Sequence, residues 1–124
     1  MSDPISDFFD AWQIEEANER LNKIASAVAK DIQYDDPRTS DTIKGVDALS
    51  DYVGMFSANA PGWSANVVKS DTNGSVTRAT VAFSGAGPDG QNKVQLGQYF
   101  VEKDGDLISR MVGFVGTGDP QTAV

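Results

Sequence analysis

The stretch WSANVVKSDTNGSVTRATVAF, residues 63–83, reads as two β-forming runs divided by Asp71-Thr72-Asn73-Gly74. Asn-Gly between runs rich in Val, Thr and aromatic residues is the strongest short-range hairpin signal. The same pattern continues downstream. Strand candidates Val94–Val101 and Leu107–Val115 follow the breaks Gly85-Ala86-Gly87-Pro88-Asp89-Gly90 and Lys103-Asp104-Gly105-Asp106. Trp63–Ser70, Val76–Phe83 and these two therefore read as sequential antiparallel neighbours, with Trp63 anchoring the start of the first.

Upstream the period changes from two to 3.6. Ser2-Asp3-Pro4 supplies a cap and a first-turn proline, and Ile5, Phe8, Phe9 and Trp12 then recur at helical spacing. A second stripe, Ala17, Leu21, Ile24, Ala25 and Val28, forms one face of a longer helix. No Gly or Pro lies between them, so local rules leave open whether the helix breaks near Gln13–Glu16. Asp31–Asp35 alternates as a short strand closed by Asp36-Pro37, because proline cannot continue a ladder. Pro37–Lys44 reads as a loop. Gly45 opens a third helix carrying Val46, Leu49, Tyr52, Val53 and Phe56, which ends at Asn59-Ala60-Pro61-Gly62.

Helices followed by a meander indicate an α+β fold, three helices packed on a curved antiparallel sheet. Residues 1–116 read as one domain and 117–124 as a C-terminal tail. Leu96, Gln98 and Phe100 share one face of their strand while Tyr99 and Val101 share the other; Val112 and Phe114 oppose Met111 and Val115. Both sheet faces are thus substantially apolar. One covers itself with the helices, and the outer one predicts a homodimer.

Composition excludes whole classes of chemistry. The 124 residues contain neither His nor Cys. An imidazole base, a Ser-His-Asp triad, a thiolate nucleophile, disulfides and His- or Cys-ligated metals are all ruled out. Asp104 and Asp106 flank a hairpin glycine rather than forming a metal site, and the glycines at 85–90 lie between two strands, where they build no phosphate cradle. The expectation is no cofactor and no metal. The net charge of −8 and ten dispersed basic residues argue against nucleic acid and against an anionic membrane surface. Met1–Asp10 carries three aspartates and no basic residue, unlike a secretory signal, and no apolar run approaches a membrane span. A cytoplasmic protein is expected.

Tyr34-Asp35-Asp36-Pro37, with Gly45 eight residues after the proline, joins a longer pattern. Phe9 and Trp12, Arg20-Leu21, Asp31, Leu49, Pro61-Gly62, Asp104-Gly105 and Phe114 fall at matching places along nearly the whole chain. This resembles the NTF2-like superfamily, and within it the SnoaL-like and ketosteroid-isomerase-like branch. The resemblance implies a cone in which helices close over a bent sheet and leave an apolar pocket. Its wall would comprise Phe8, Trp12, Tyr52, Phe56, Ala79, Val81, Phe83, Gly97, Tyr99, Val112 and Phe114.

In steroid isomerases of this fold a carboxylate after the first strand shuttles a proton while a tyrosine and a protonated aspartic acid hold the enolate oxygen. The resemblance carries the base to Asp36, the tyrosine to Trp12 and the acid to Gly97. Two of three working parts differ, so steroid-type isomerisation is not expected. Arg110, placed inward beside Val112 and Phe114, and Tyr99 are the candidate polar partners of Asp36. A carboxylate–arginine couple also resembles the superfamily's epoxide hydrolases in chemical type, without their second carboxylate. Asp36 has an equally physical structural reading as a turn residue bonding the backbone near Arg38, and Asp35 reads as solvated. Three functions follow: a cofactor-independent isomerase, lyase, cyclase-type enzyme or hydrolase acting on a small apolar, polyketide- or steroid-like molecule; a non-catalytic ligand-binding pocket; or a dimeric interaction module.

Overall fold

The computed structural model describes residues 3–116; the tail expected at 117–124 lies outside them. Helix α1 spans Pro4–Asp10 and continues as a 3-10 turn, Ala11–Gln13; α2 spans Ala17–Ala27 and α3 Val46–Asn59. The strands are β1 Val28–Asp35, β2 Ile43–Lys44, β3 Ser64–Asn73, β4 Val76–Ala86, β5 Asn92–Asp104 and β6 Leu107–Val115. They form one sheet in the order β2-β1-β6-β5-β4-β3. Every neighbouring pair is antiparallel except β1 with β6, which is parallel.

Local chemistry accounts for most boundaries. The Asp3 carboxylate accepts from the Ile5 amide at 3.2 Å, with Pro4 behind it, so α1 starts as its cap dictates. Glu16 caps α2 in the same way, accepting from the Asn18 and Glu19 amides. What breaks the two helices apart is tertiary. The buried Arg20 guanidinium donates to the carbonyls of Ile14 and Glu15 at 2.9 and 3.3 Å, pinning the connector. Gly54 on α3 makes room for it: a Cβ there would stand 2.5 Å from Arg20 Nη2. The stripe through Val28 is cut one residue early, because Val28 is already extended and begins β1. Within the expected loop, Ile43 and Lys44 pair with Tyr34 and Gln33 as the short edge strand β2.

The hairpin signals hold, but their frame moves by one residue. Asn73 pairs with Val76 and Asp104 with Leu107, so the two-residue turns are Gly74-Ser75 and Gly105-Asp106. Gly74 and Gly105 have φ of 58° and 66°, and no non-glycine residue among the described residues has positive φ. Glycine at the first central position is the type II′ arrangement, whose twist suits the strands. Trp63 lies against Gly85 and donates from Nε1 to the Ala86 carbonyl at 3.1 Å, fixing the start of β3 on its partner.

Register shifts in β1, β3 and β6 mark irregularities, and such bulges bend a sheet. The concave face buries Ile32 and Tyr34 of β1, Ala79 and Val81 of β4, Val101 of β5 and Met111 of β6 against Phe8, Phe9 and Trp12. Phe9 and Trp12 stack at 5.8 Å, with Phe8 edge-on to both. The chain therefore has an aromatic core at one end of the concavity and an opening at the other. No helix among the described residues is long and apolar enough to cross a membrane.

Candidate functional site

The opening lies between α3 and the far ends of β4, β5 and β6. It is a cavity of about 390 Å³, within the usual range of small-molecule sites. Its sides are aromatic: Trp12, Tyr52, Phe56, Phe83 and Tyr99. Trp12 meets Phe56, Phe83 and Tyr52 edge to face at 5.0, 5.6 and 6.3 Å between ring centres. Its indole Nε1 is buried and donates to nothing. Gly97 contributes bare backbone to the wall, and Arg38, Asn59 and Gln95 stand among the lining residues.

Asp36, the residue directly after β1, provides the carboxylate. Its two oxygens do different jobs. Oδ1 accepts from the Arg38 amide at 2.8 Å, and the Asp36 amide and carbonyl both bond the Thr39 hydroxyl, so the corner is held as an Asx-type turn. Oδ2 accepts from the Tyr34 hydroxyl at 2.7 Å and the Tyr52 hydroxyl at 2.5 Å. The turn reading of Asp36 is thus met through Oδ1, while Oδ2 faces the two tyrosine hydroxyls. No ion pair among the described residues involves it.

Tyr99 completes the cluster, its hydroxyl 3.2 Å from that of Tyr34. A phenol has one proton. Tyr34 spends its proton on the carboxylate, so Tyr99 is the donor to Tyr34. All three phenols are pushed above their ordinary pKa. Burial is the largest cause in each, and for Tyr34 and Tyr52 the neighbouring Asp36 carboxylate adds to it. They remain protonated donors throughout the physiological range. Because the chain contains three tyrosines, every tyrosine it has belongs to this one cluster.

The model of the SnoaL-like domain family matches residues 5–111. The chain belongs to that family. Among solved structures, this SnoaL-like domain is similar to a proposed SnoaL-like isomerase from Agrobacterium tumefaciens, with TM-score 0.77, 22% identity and coverage of 92% of this chain and 95% of that one. It is similar to a ketosteroid-isomerase-like protein from Catenulispora acidiphila, solved in complex with trimethylamine, at TM-score 0.74, 14% identity and coverage of 91% and 85%. A Mycobacterium tuberculosis LEH-like epoxide hydrolase matches at TM-score 0.65, 14% identity and coverage of 91% and 80%. No curated protein matches the sequence.

The SnoaL-like domain brings Asp36, Trp12, Tyr52, Phe56, Phe83, Gly97, Tyr99 and Phe114 to the cavity. Phe8, Ala79 and Val81 lie deeper, fully buried in the core. Arg110 and Val112 are not in the wall. Arg110 Nη1 is 2.9 Å from Asp35 Oδ2 and 3.3 Å from Gln33 Oε1, on the convex side of the sheet. Strict alternation from the buried Ile108 would carry Arg110, Val112 and Phe114 inward. The register shift opposite Glu102/Lys103 leaves Ser109 as an extra residue, so Met111 and Gly113 face in instead. Phe114 reaches the cavity as part of its mouth, while its ring packs edge-on to Phe100 on the outer face. Asp35 is accordingly not free in solvent: it holds Arg110 and accepts from the Thr42 hydroxyl.

Tyr34 is the member of the candidate site that hydrophobic patterning hides. It reads as core, and it is fully buried. The usable signal was the spacing Tyr34-x-Asp36, which puts both side chains on the same face of an extended segment.

Proposed function

We propose that this domain binds a small, largely apolar molecule in the cavity, and that Asp36 is the group that takes up and returns a proton. The observation that carries the reading is a carboxylate without a cationic partner on the wall of an aromatic cavity, held in place by the Tyr34 and Tyr52 hydroxyls and the Arg38 amide. A base held by hydrogen bonds is already oriented before substrate arrives, which is the condition for efficient proton transfer. The likeness in fold to a proposed SnoaL-like isomerase and an LEH-like epoxide hydrolase is in keeping with an enzymatic reading.

One observation favours the plain binding reading. An enolate-forming reaction needs a donor for the developing oxyanion, and all three phenol protons are committed inside the cluster. Among the cavity-lining residues, Trp12 carries a buried donor, its Nε1–H, that has no partner. The two readings separate on α-proton exchange of a cyclic ketone probe, 2-tetralone, followed in heavy water by NMR. Catalysis predicts faster exchange than in buffer and its loss in Asp36→Asn. Saturable binding with exchange at the buffer rate in both proteins would leave a carrier and remove Asp36 as a base.

We also propose that the convex face pairs with a second copy of the chain. Leu96, Phe100 and Phe114 are 38%, 37% and 55% exposed there and sit with Val112 as one apolar patch. Sedimentation should return a dimer at micromolar concentration and a monomer for Phe100→Asp; a wild-type monomer would remove this partner.

A further inference from the structure

The cavity's polarity follows from counting protons. Tyr52 and Tyr34 both donate to Asp36 Oδ2, and Tyr99 donates to Tyr34. Tyr52, Tyr99 and Asp36 line the cavity, and none of the three has a proton left to offer a ligand there. What they present is lone pairs and one negative charge. The walls around them are the rings of Trp12, Phe56 and Phe83, with ring centres 5.0–5.9 Å apart. Aromatic faces attract cations through the ring quadrupole, and most strongly when water is excluded. The chain as a whole is at −8, so a cation is also drawn toward it at long range.

We infer that the ligand is an organic cation, an alkyl- or arylammonium whose charged nitrogen sits against Asp36 while its apolar body fills the aromatic cavity. This rests on the cavity being the ligand site. An oxyanion or a carboxylate head against Asp36 would meet a like charge and two phenol lone pairs, leaving it to the Trp12 Nε1–H and the side chains of Arg38, Asn59 and Gln95 elsewhere in the lining. Arg38 is the opposing charge. It meets Asp36 through its backbone amide rather than its guanidinium, and its side chain is exposed at the rim, where it weakens cation binding without neutralising the carboxylate.

The test compares three probes of nearly the same shape by calorimetry at low salt: phenyltrimethylammonium, its uncharged isostere tert-butylbenzene, and acetophenone as a hydrogen-bond acceptor. The cation is expected to bind about tenfold or more tightly than either neutral probe, as a desolvated cation–aromatic contact and one facing carboxylate imply. Its N-methyl proton signals should move upfield on binding, from the surrounding rings. Asp36→Asn should erase the preference for the cation while keeping tert-butylbenzene binding, which also shows that the variant is folded. Arg38→Gln should strengthen cation binding. Equal or tighter binding of tert-butylbenzene or acetophenone by the wild type would overturn the cation and leave the cavity reading intact. Binding of none of the three would overturn both. The upfield shift needs no variant, so it decides the matter even where Asp36→Asn fails to fold.

Discussion

Replacing Tyr34 by Phe removes one oxygen atom from a fully buried ring and leaves the packing of that ring in place. Two bonds go with it. The first is the 2.7 Å bond to Asp36, and a hydrogen bond to a charged acceptor contributes about 1.5–3 kcal/mol. The second is the acceptor for Tyr99, whose hydroxyl then lacks a partner at a site where a bare donor costs about 1 kcal/mol. The expected loss is therefore about 2–4 kcal/mol. Tyr52→Phe removes a bond to the same carboxylate oxygen, but that hydroxyl borders the cavity, where water can replace it; the loss should be about 1 kcal/mol. Urea unfolding reads both as a shift of midpoint at constant slope. Because Tyr34→Phe already strands Tyr99, adding Tyr99→Phe should cost less than it does in the wild type, a non-additivity that a double-mutant cycle detects. A Tyr34→Phe protein within about 0.5 kcal/mol of wild type, or equal to Tyr52→Phe, would refute the claim that Tyr34 is the hub.

Three further outcomes follow from the geometry. Gly113→Ala puts a Cβ 2.5 Å from Tyr99 Cε2, so the ring or the strand must shift; a loss of about 1–3 kcal/mol by urea unfolding is expected, and a neutral substitution would contradict it. Arg110→Ala removes an ion pair on the convex face and should change stability by at most about 1 kcal/mol while leaving probe affinity in the cavity unchanged; altered affinity would mean that Arg110 reaches the site after all. Stability should also fall in alkali. Phenols raised in the folded state bind protons that the unfolded chain has already lost, so the stabilisation is complete below the ordinary tyrosine pKa and declines above it. The deeply buried pair Tyr34 and Tyr99 gives a slope of about −2.7 kcal/mol per pH unit once pH passes about 10. A flat profile there would show ordinary phenols.

Much of this was written locally in the chain. The Asp3-Pro4 cap, the proline after β1, Gly45 before α3 and the glycine turns each impose geometry on a few residues, so they are readable without knowing the rest. Asp36 was readable as a candidate for the same reason. What escaped depends on distant residues. The break before α2 is made by Arg20 reaching back to Ile14 and Glu15, and by a glycine on another helix. The facing of β6 depends on one extra residue opposite Glu102/Lys103, and a strand apolar on both faces gives no pattern from which to detect it. Arg110 was misplaced by that single step. Tyr34 was hidden because a buried tyrosine in a strand looks like core until the carboxylate two residues away is seen to share its face.

The three phenols being the chain's whole complement, a spectroscopic alkaline titration sees this cluster and nothing else. If all three hydroxyls serve Asp36 directly or through one another, the phenolate band should stay absent through pH 10 and rise only at higher pH, together with loss of the fold. A reversible phenolate signal from the folded protein, centred near the ordinary value of about 10, would place at least one tyrosine outside the cluster and contradict the site as described.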